Sequence, residues 1–183
     1  MTKRWFVGGA ATLAALASLA FVQAQDQAAE PVAAAQVTTV APGEQPIPFP
    51  HNIHAGQDQI PCMYCHFSAE RSVDAGIPPV GTCFGCHQVI VGSTPAQRRE
   101  IQKVRDFYTA GEAIPWVRIY KVADHVHFPH MRHINAGVDC AQCHGDVASK
   151  GVLEEVEQTL SMGWCVTCHV ENGASRDCAV CHY

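Results

Sequence analysis

The sequence predicts a mostly irregular fold of short helices, built without an ordinary aliphatic core and preceded by an apolar N-terminal helix. Three observations predict it. All ten cysteines fall in five copies of Cys-x-x-Cys-His: Cys62-Met63-Tyr64-Cys65-His66, Cys83-Phe84-Gly85-Cys86-His87, Cys140-Ala141-Gln142-Cys143-His144, Cys165-Val166-Thr167-Cys168-His169 and Cys178-Ala179-Val180-Cys181-His182. Past residue 24 the only leucines are Leu153 and Leu160. The 183 residues also hold 14 glycines and 11 prolines, which divide a chain into short turns.

Cys-x-x-Cys-His is the pattern of covalent c-type haem attachment. Two cysteines three positions apart reach the two vinyl groups along one porphyrin edge and form thioethers. The histidine that follows falls beneath the ring and binds the iron as proximal ligand. Other uses of the cysteines fit worse. Structural zinc takes Cys-x-x-Cys knuckles in pairs, and five leave one over. Iron–sulfur clusters take cysteines in fours, and ten do not divide so. Disulfide scaffolds bridge distant segments, whereas Cys-x-x-Cys pairs are of the redox-active kind.

Five covalently bound haem c groups also explain the missing leucines. Large apolar plates fixed to the chain supply the buried surface that side chains do not, as metals and disulfides do in other core-poor domains. The expected class is therefore a multihaem cytochrome c, mostly irregular, with short helices packed around five covalent haems and an N-terminal membrane helix. Without haem, the region after residue 48 is expected not to fold.

The formal net charge of −5, with no cluster of lysine or arginine, argues against a nucleic-acid partner. Residues 1–24 form the first region. Lys3 and Arg4 precede an uncharged, alanine-rich run from Trp5 to Val22. The run is just long enough to span a membrane, and Val22-Gln23-Ala24 would also serve as a signal cleavage site. The anchor is the preferred reading. Either way the basic start stays cytoplasmic and the remainder lies on the periplasmic side, where disulfides persist and haem is attached. Residues 25–48 show no apolar period and read as an extended linker or arm. Residues 49–183 are the cytochrome domain, with modules 49–93 and 128–183 joined by a helix-containing segment, 94–127.

Each module opens on the same pattern. Phe49-Pro50-His51-Asn52-Ile53-His54 precedes the first haem site, and Phe128-Pro129-His130-Met131-Arg132-His133 precedes the third. Neutral imidazole is a good iron ligand. Histidines three apart on a helical turn project from roughly one face, so they serve two neighbouring haems rather than one. His51, His54, His130 and His133 are thus the expected distal ligands, beside the proximal His66, His87, His144, His169 and His182. For the fifth distal position the preferred candidate is Met162, in Ser161-Met162-Gly163-Trp164, with His125 or His127 as alternatives. A His/Met haem would have a higher potential than its bis-histidine neighbours.

Between the modules, Thr94-Pro95-Ala96-Gln97 is a capping box with proline at the first helical position. Ile101, Val104 and Tyr108 mark an apolar face and Gly111 a stop; Arg98, Arg99, Lys103 and Arg105 fall on the solvated side. Residues 114–122 are expected to be extended, and 154–160 to form a short helix that ends before Met162.

The layout resembles multihaem cytochromes of the c7/c3 type, where Phe-x-His-x-x-His precedes Cys-x-x-Cys-His. It is most similar to the pentahaem cytochrome c subunits of alternative complex III, a bacterial quinol-oxidising assembly. The resemblance spans roughly residues 49–183. It is carried by the apolar N-terminal segment, the two His-x-x-His units, Asp124-His125-Val126-His127-Phe128-Pro129-His130, Met162-Gly163-Trp164-Cys165 and the five attachment sites. It implies an iron–sulfur/molybdopterin-like subunit, NrfD-like quinone-binding membrane subunits and a monohaem cytochrome c subunit as partners.

The function expected is periplasmic electron relay, from quinol oxidation to a monohaem cytochrome and a terminal oxidase, with no bond-making chemistry on this chain. A free periplasmic shuttle would require cleavage after Ala24. A multihaem nitrite or hydroxylamine reductase would require an iron with an open distal position, yet no Cys-x-x-Cys-Lys variant occurs and spare ligands outnumber the irons.

Overall fold

The computed structural model describes residues 44–183. The expected N-terminal anchor and most of the 25–48 arm lie outside the described residues. Within them no helix is long and apolar enough to cross a membrane.

The described chain is short helices joined by irregular segments, with no strand among the described residues. A π-helical turn, Asn52–Gln57, comes first. Then follow α1 (Cys62–Cys65), α2 (Val80–His87), α3 (Pro95–Ala110), α4 (His130–Asn135) and α5 (Ala141–His144). A 3-10 turn, Val147–Ser149, leads to α6 (Met162–Glu171) and α7 (Cys178–Cys181). Every Cys-x-x-Cys sits on or at the start of a helix, so its two sulfurs share a face one turn apart. Local capping holds these short turns. Asp177 accepts a hydrogen bond from the Ala179 amide (3.0 Å) on α7, and Asp139 from that of Ala141 (2.8 Å) on α5.

α3 follows its sequence signals closely. Thr94 Oγ1 accepts from the Gln97 amide (3.1 Å) and Gln97 Oε1 from that of Thr94 (3.0 Å), closing both halves of the capping box. Gly111 stops the helix in the left-handed region at φ 71°. Val104 on its apolar face packs with Ile47 and Ile114, and with the half-buried Val80 and Cys83 of α2. Phe84 and Tyr108 stack at 3.8 Å between the same helices. Arg105 is not merely solvated: it donates to the His87 carbonyl (2.8 Å), where a cation meets the negative end of α2.

Among the described residues the buried apolar side chains are Ile47, Ala69, Val104, Ile114 and Ile119, and none is fully buried. Tyr64, Phe67 and Ile77 are each more than half exposed. The shortage of core foreseen from the leucine count is thus observed: the polypeptide alone leaves its apolar surface uncovered.

Two expected elements differ. Residues 154–160 form no helix, and α6 begins only at Met162. Glu157 is drawn to Lys150 (2.6 Å), and Leu160 turns through φ 45°, which ends any helical path there. The stretch 114–122 pairs with nothing as a strand; it buries Ile114 and Ile119 along an irregular path.

The two modules are joined by a reciprocal exchange. The His51 and Asn52 amides donate to the Gly151 (3.2 Å) and Lys150 (2.6 Å) carbonyls. The His130 and Met131 amides donate to the Val73 (2.9 Å) and Ser72 (3.0 Å) carbonyls. Ser72 and Val73 lie six and seven residues past His66, as Lys150 and Gly151 lie past His144. Each His-x-x-His unit therefore starts against the turn that follows the other module's first attachment site. These amides are the unsatisfied donors of a helical N-terminus, and the opposite module satisfies them. Asn135 extends one half of the exchange by donating to the Glu70 carbonyl (3.2 Å). In the other half Gly56 abuts the Ala148 carbonyl, where a Cβ would collide with the oxygen.

Candidate functional site

The Phe-Pro prelude builds the ligand geometry. Phe49 meets His51 edge-on (4.8 Å, 83°) and stacks on His54 (4.4 Å, 24°). Phe128 meets His130 edge-on (4.9 Å, 89°) and stacks on His133 (4.3 Å, 27°). The carbonyls of Pro50 and Pro129 each lie 3.0 Å from Nδ1 of the second histidine, His54 and His133. A backbone carbonyl can only accept, so it fixes the proton on Nδ1 and leaves the Nε2 lone pair free.

The same device recurs at other histidines. Nδ1 of His66 faces the Gly76 carbonyl (2.7 Å), that of His87 the Ile90 carbonyl (3.2 Å) and that of His130 the Val73 carbonyl (2.9 Å). Nδ1 of His169 faces the Ser175 carbonyl (2.5 Å), and that of His182 the His125 carbonyl (2.9 Å). His51 differs: its Nδ1 is buried without a well-formed hydrogen bond. Burial pushes its imidazole below the ordinary value, and the nearby Gly151 carbonyl opposes that in part. Burial likewise lowers His144, with His130 and His66 adding to the effect. Both shifts favour the neutral, metal-binding form.

Among the described residues no three His, Cys, Asp or Glu side chains converge on one point as a metal cluster would require. The histidines instead come in facing pairs. Ring centroids are 6.1 Å apart for His54 and His87, 6.4 Å for His130 and His144, 6.0 Å for His133 and His169, and 5.6 Å for His125 and His182. Two imidazoles on opposite sides of one metal, each with a bond of ~2 Å, place their centroids about 6 Å apart. In every pair one partner belongs to a Cys-x-x-Cys-His motif. The first three pairs therefore fit a haem iron held from both faces; in the fourth the His125 carbonyl at Nδ1 of His182 keeps the His125 ring away from the Nε2 side.

Thiols of different motifs also lie together. Cys65 is pushed up by burial and then by its own Cys62 and by Cys86 of the next motif. Cys140 is raised by burial first and next by Cys62. Cys143 is raised by burial, then by Cys168 and Cys165, and Cys165 by burial and then Cys181.

Met162 stands apart from these pairs, 64% exposed at the start of α6. His127 stacks on the C-terminal Tyr183 at 4.2 Å. The parts of Phe49, Phe128 and the two proline carbonyls are signalled in sequence only by their repetition. The carbonyls of Val73 and Gly151 carry no sequence signal, because any residue supplies one.

Residues 126–183 match the family of cytochrome c7 and related cytochromes c. Over 164 residues the chain is 29% identical to the multihaem cytochrome c subunit of menaquinone reductase from Nitratidesulfovibrio vulgaris (strain Hildenborough), covering 76% of this chain and 77% of that protein. The last third of the chain is thus similar to cytochromes c7, and most of its length to a multihaem cytochrome c subunit. The five Cys-x-x-Cys-His motifs, and short helices with no strand among the described residues, suit that class.

Proposed function

We propose that this chain is a multihaem cytochrome c, the electron-transfer subunit of a quinone-linked membrane complex, and carries five haem c groups, four of them each between two histidines. The observation that carries it is the set of three facing histidine pairs at 6.0–6.4 Å. The pairs are His54 with His87, His130 with His144 and His133 with His169. Of the histidines outside them, the charge of His66 bears on His51, His127 stacks on Tyr183, and the ring of His125 lies behind that of His182, whose Nδ1 its carbonyl holds.

Bound haem c supplies one-electron exchange between ferric and ferrous iron. The chain does the rest. Its cysteines fix each ring to a helix. Its paired histidines would hold the iron from both faces and leave no room there for a substrate, so the role supported is electron transfer rather than bond-making chemistry. Backbone carbonyls hold the Nδ1 protons and so the orientation of each imidazole.

A quinone-linked complex is supported by the name of the relative, a subunit of menaquinone reductase, and by the resemblance to the alternative complex III subunits. In the alternative complex III version, electrons released from quinol leave toward a monohaem cytochrome c and a terminal oxidase. The relative's name favours a second version, in which menaquinone is the acceptor. Both put an iron–sulfur/molybdopterin-like subunit and NrfD-like quinone-binding membrane subunits beside this chain, on the periplasmic face, with residues 1–24 as anchor.

The test is purification from native membranes with a haem count. Five haems per chain, four of them bis-histidine and low-spin, eluting with integral membrane subunits, support the reading. Elution as a monomer without detergent would make the protein a free shuttle instead.

A further inference from the structure

We infer that the five attachment sites are arranged in space in the order second, first, third, fourth, fifth, so that the second and fifth sites are the two ends of the series. The inference rests on the five-haem reading above and adds to it which sites are neighbours.

Within each module the His-x-x-His unit ties two sites together. His51 and His54 share one turn; His54 faces His87 of the second site, and His51 is the partner left for His66 of the first. Thiols of the same two sites, Cys65 and Cys86, are neighbours. On α4, His130 faces His144 of the third site and His133 faces His169 of the fourth. Cys143 and Cys168 of those sites are neighbours as well.

The join between the modules decides which sites are central. The reciprocal amide–carbonyl exchange engages the turn after His66 and the turn after His144, the turns that follow the first and third sites. The thiols agree, since Cys62 of the first site lies against Cys140 of the third. The first and third sites therefore meet at the centre, although the second lies between them in sequence.

The fifth site joins at the fourth. Eight residues, 170–177, separate His169 from Cys178, and they fold back on the fourth site: the Ala174 amide donates to the His169 carbonyl (2.8 Å) and the Ser175 carbonyl faces Nδ1 of His169 (2.5 Å). At the other end the second site is backed by α3, through Arg105 on the His87 carbonyl and Tyr108 on Phe84.

An experimental structure of the holoprotein in its complex tests this, using anomalous scattering at the iron edge. Each iron is identified by the cysteine pair tethering its haem. The expected result is five irons whose nearest neighbours run second–first–third–fourth–fifth, with one close neighbour each for the second and fifth. Five irons with the second between the first and third, or with the fifth nearest any site but the fourth, would overturn the order and leave the five-haem reading intact. Fewer than five irons would overturn that reading and the order with it.

Discussion

The two His-x-x-His units set their rings alike and differ in the helix that carries them. Both set a phenylalanine edge-on to the first imidazole and flat on the second, with centroid distances that agree within 0.1 Å (4.8 against 4.9 Å, and 4.4 against 4.3 Å). Both use the proline carbonyl at 3.0 Å. From Asn52 on, the first unit is a π-helical turn that brings Gly56 against the Ala148 backbone. The second stays α-helical and reaches Glu70 through the Asn135 side chain. Ligand geometry is thus set by a local hexapeptide, whereas the contact between modules is solved separately on each side. The repeat serves the iron; the divergence serves the interface.

If the hexapeptides are equivalent, His54→Ala and His133→Ala have the same effect and the largest. Each removes one axial ligand, so in electron paramagnetic resonance about a fifth of the ferric haem turns from low-spin to high-spin. Unequal fractions would break the equivalence. The fifth site lies outside both hexapeptides and sharpens the comparison. His125→Ala keeps the backbone carbonyl that holds Nδ1 of His182 and so leaves the low-spin spectrum of the wild type. A one-haem high-spin signal in His125→Ala would instead make its ring the fifth distal ligand.

The interfaces should separate the units where the ligands do not. Gly56→Ala forces a methyl group into the Ala148 carbonyl, an overpacked contact expected to destabilise by roughly 1–3 kcal/mol in thermal unfolding. Gly137, after α4, has open space around it but a φ of 80°, so Gly137→Ala costs about 1 kcal/mol through backbone strain alone. Phe49→Ala and Phe128→Ala each lose ring contacts of about 0.5–1.5 kcal/mol and displace the midpoint potentials of the two haems served by that unit. Smallest in its reach is Thr94→Ala. It removes the cap of α3, outside both units, and lowers stability by about 1 kcal/mol with the haem spectrum unchanged.

What could be read from the sequence was whatever is local. The attachment motifs, the duplicated Phe-Pro-His-x-x-His and the capping box at Thr94 each fit within a few residues, and their geometry follows from spacing alone. The reciprocal exchange could not be read, because its acceptors at Val73 and Gly151 are backbone carbonyls and the contacts join residues far apart in the chain. The contact of His125 with His182 was hidden for the same reason. Asp124-His125-Val126-His127 repeats nowhere else, and its tie to His182 spans 57 positions. Met162 drew attention by lying beside the fourth motif in sequence, yet it starts a helix with its side chain largely in solvent. The helix expected over 154–160 was a judgement of local propensity, and Leu160 at φ 45° with the Lys150–Glu157 pair overrode it.

The claim on which the account stands is that four haems on this chain each lie between two imidazoles. Low-temperature electron paramagnetic resonance of the fully oxidised, purified holoprotein, integrated against a chemical haem count, tests it most directly. The account predicts four bis-histidine low-spin ferric haems per chain. Fewer than four would contradict it.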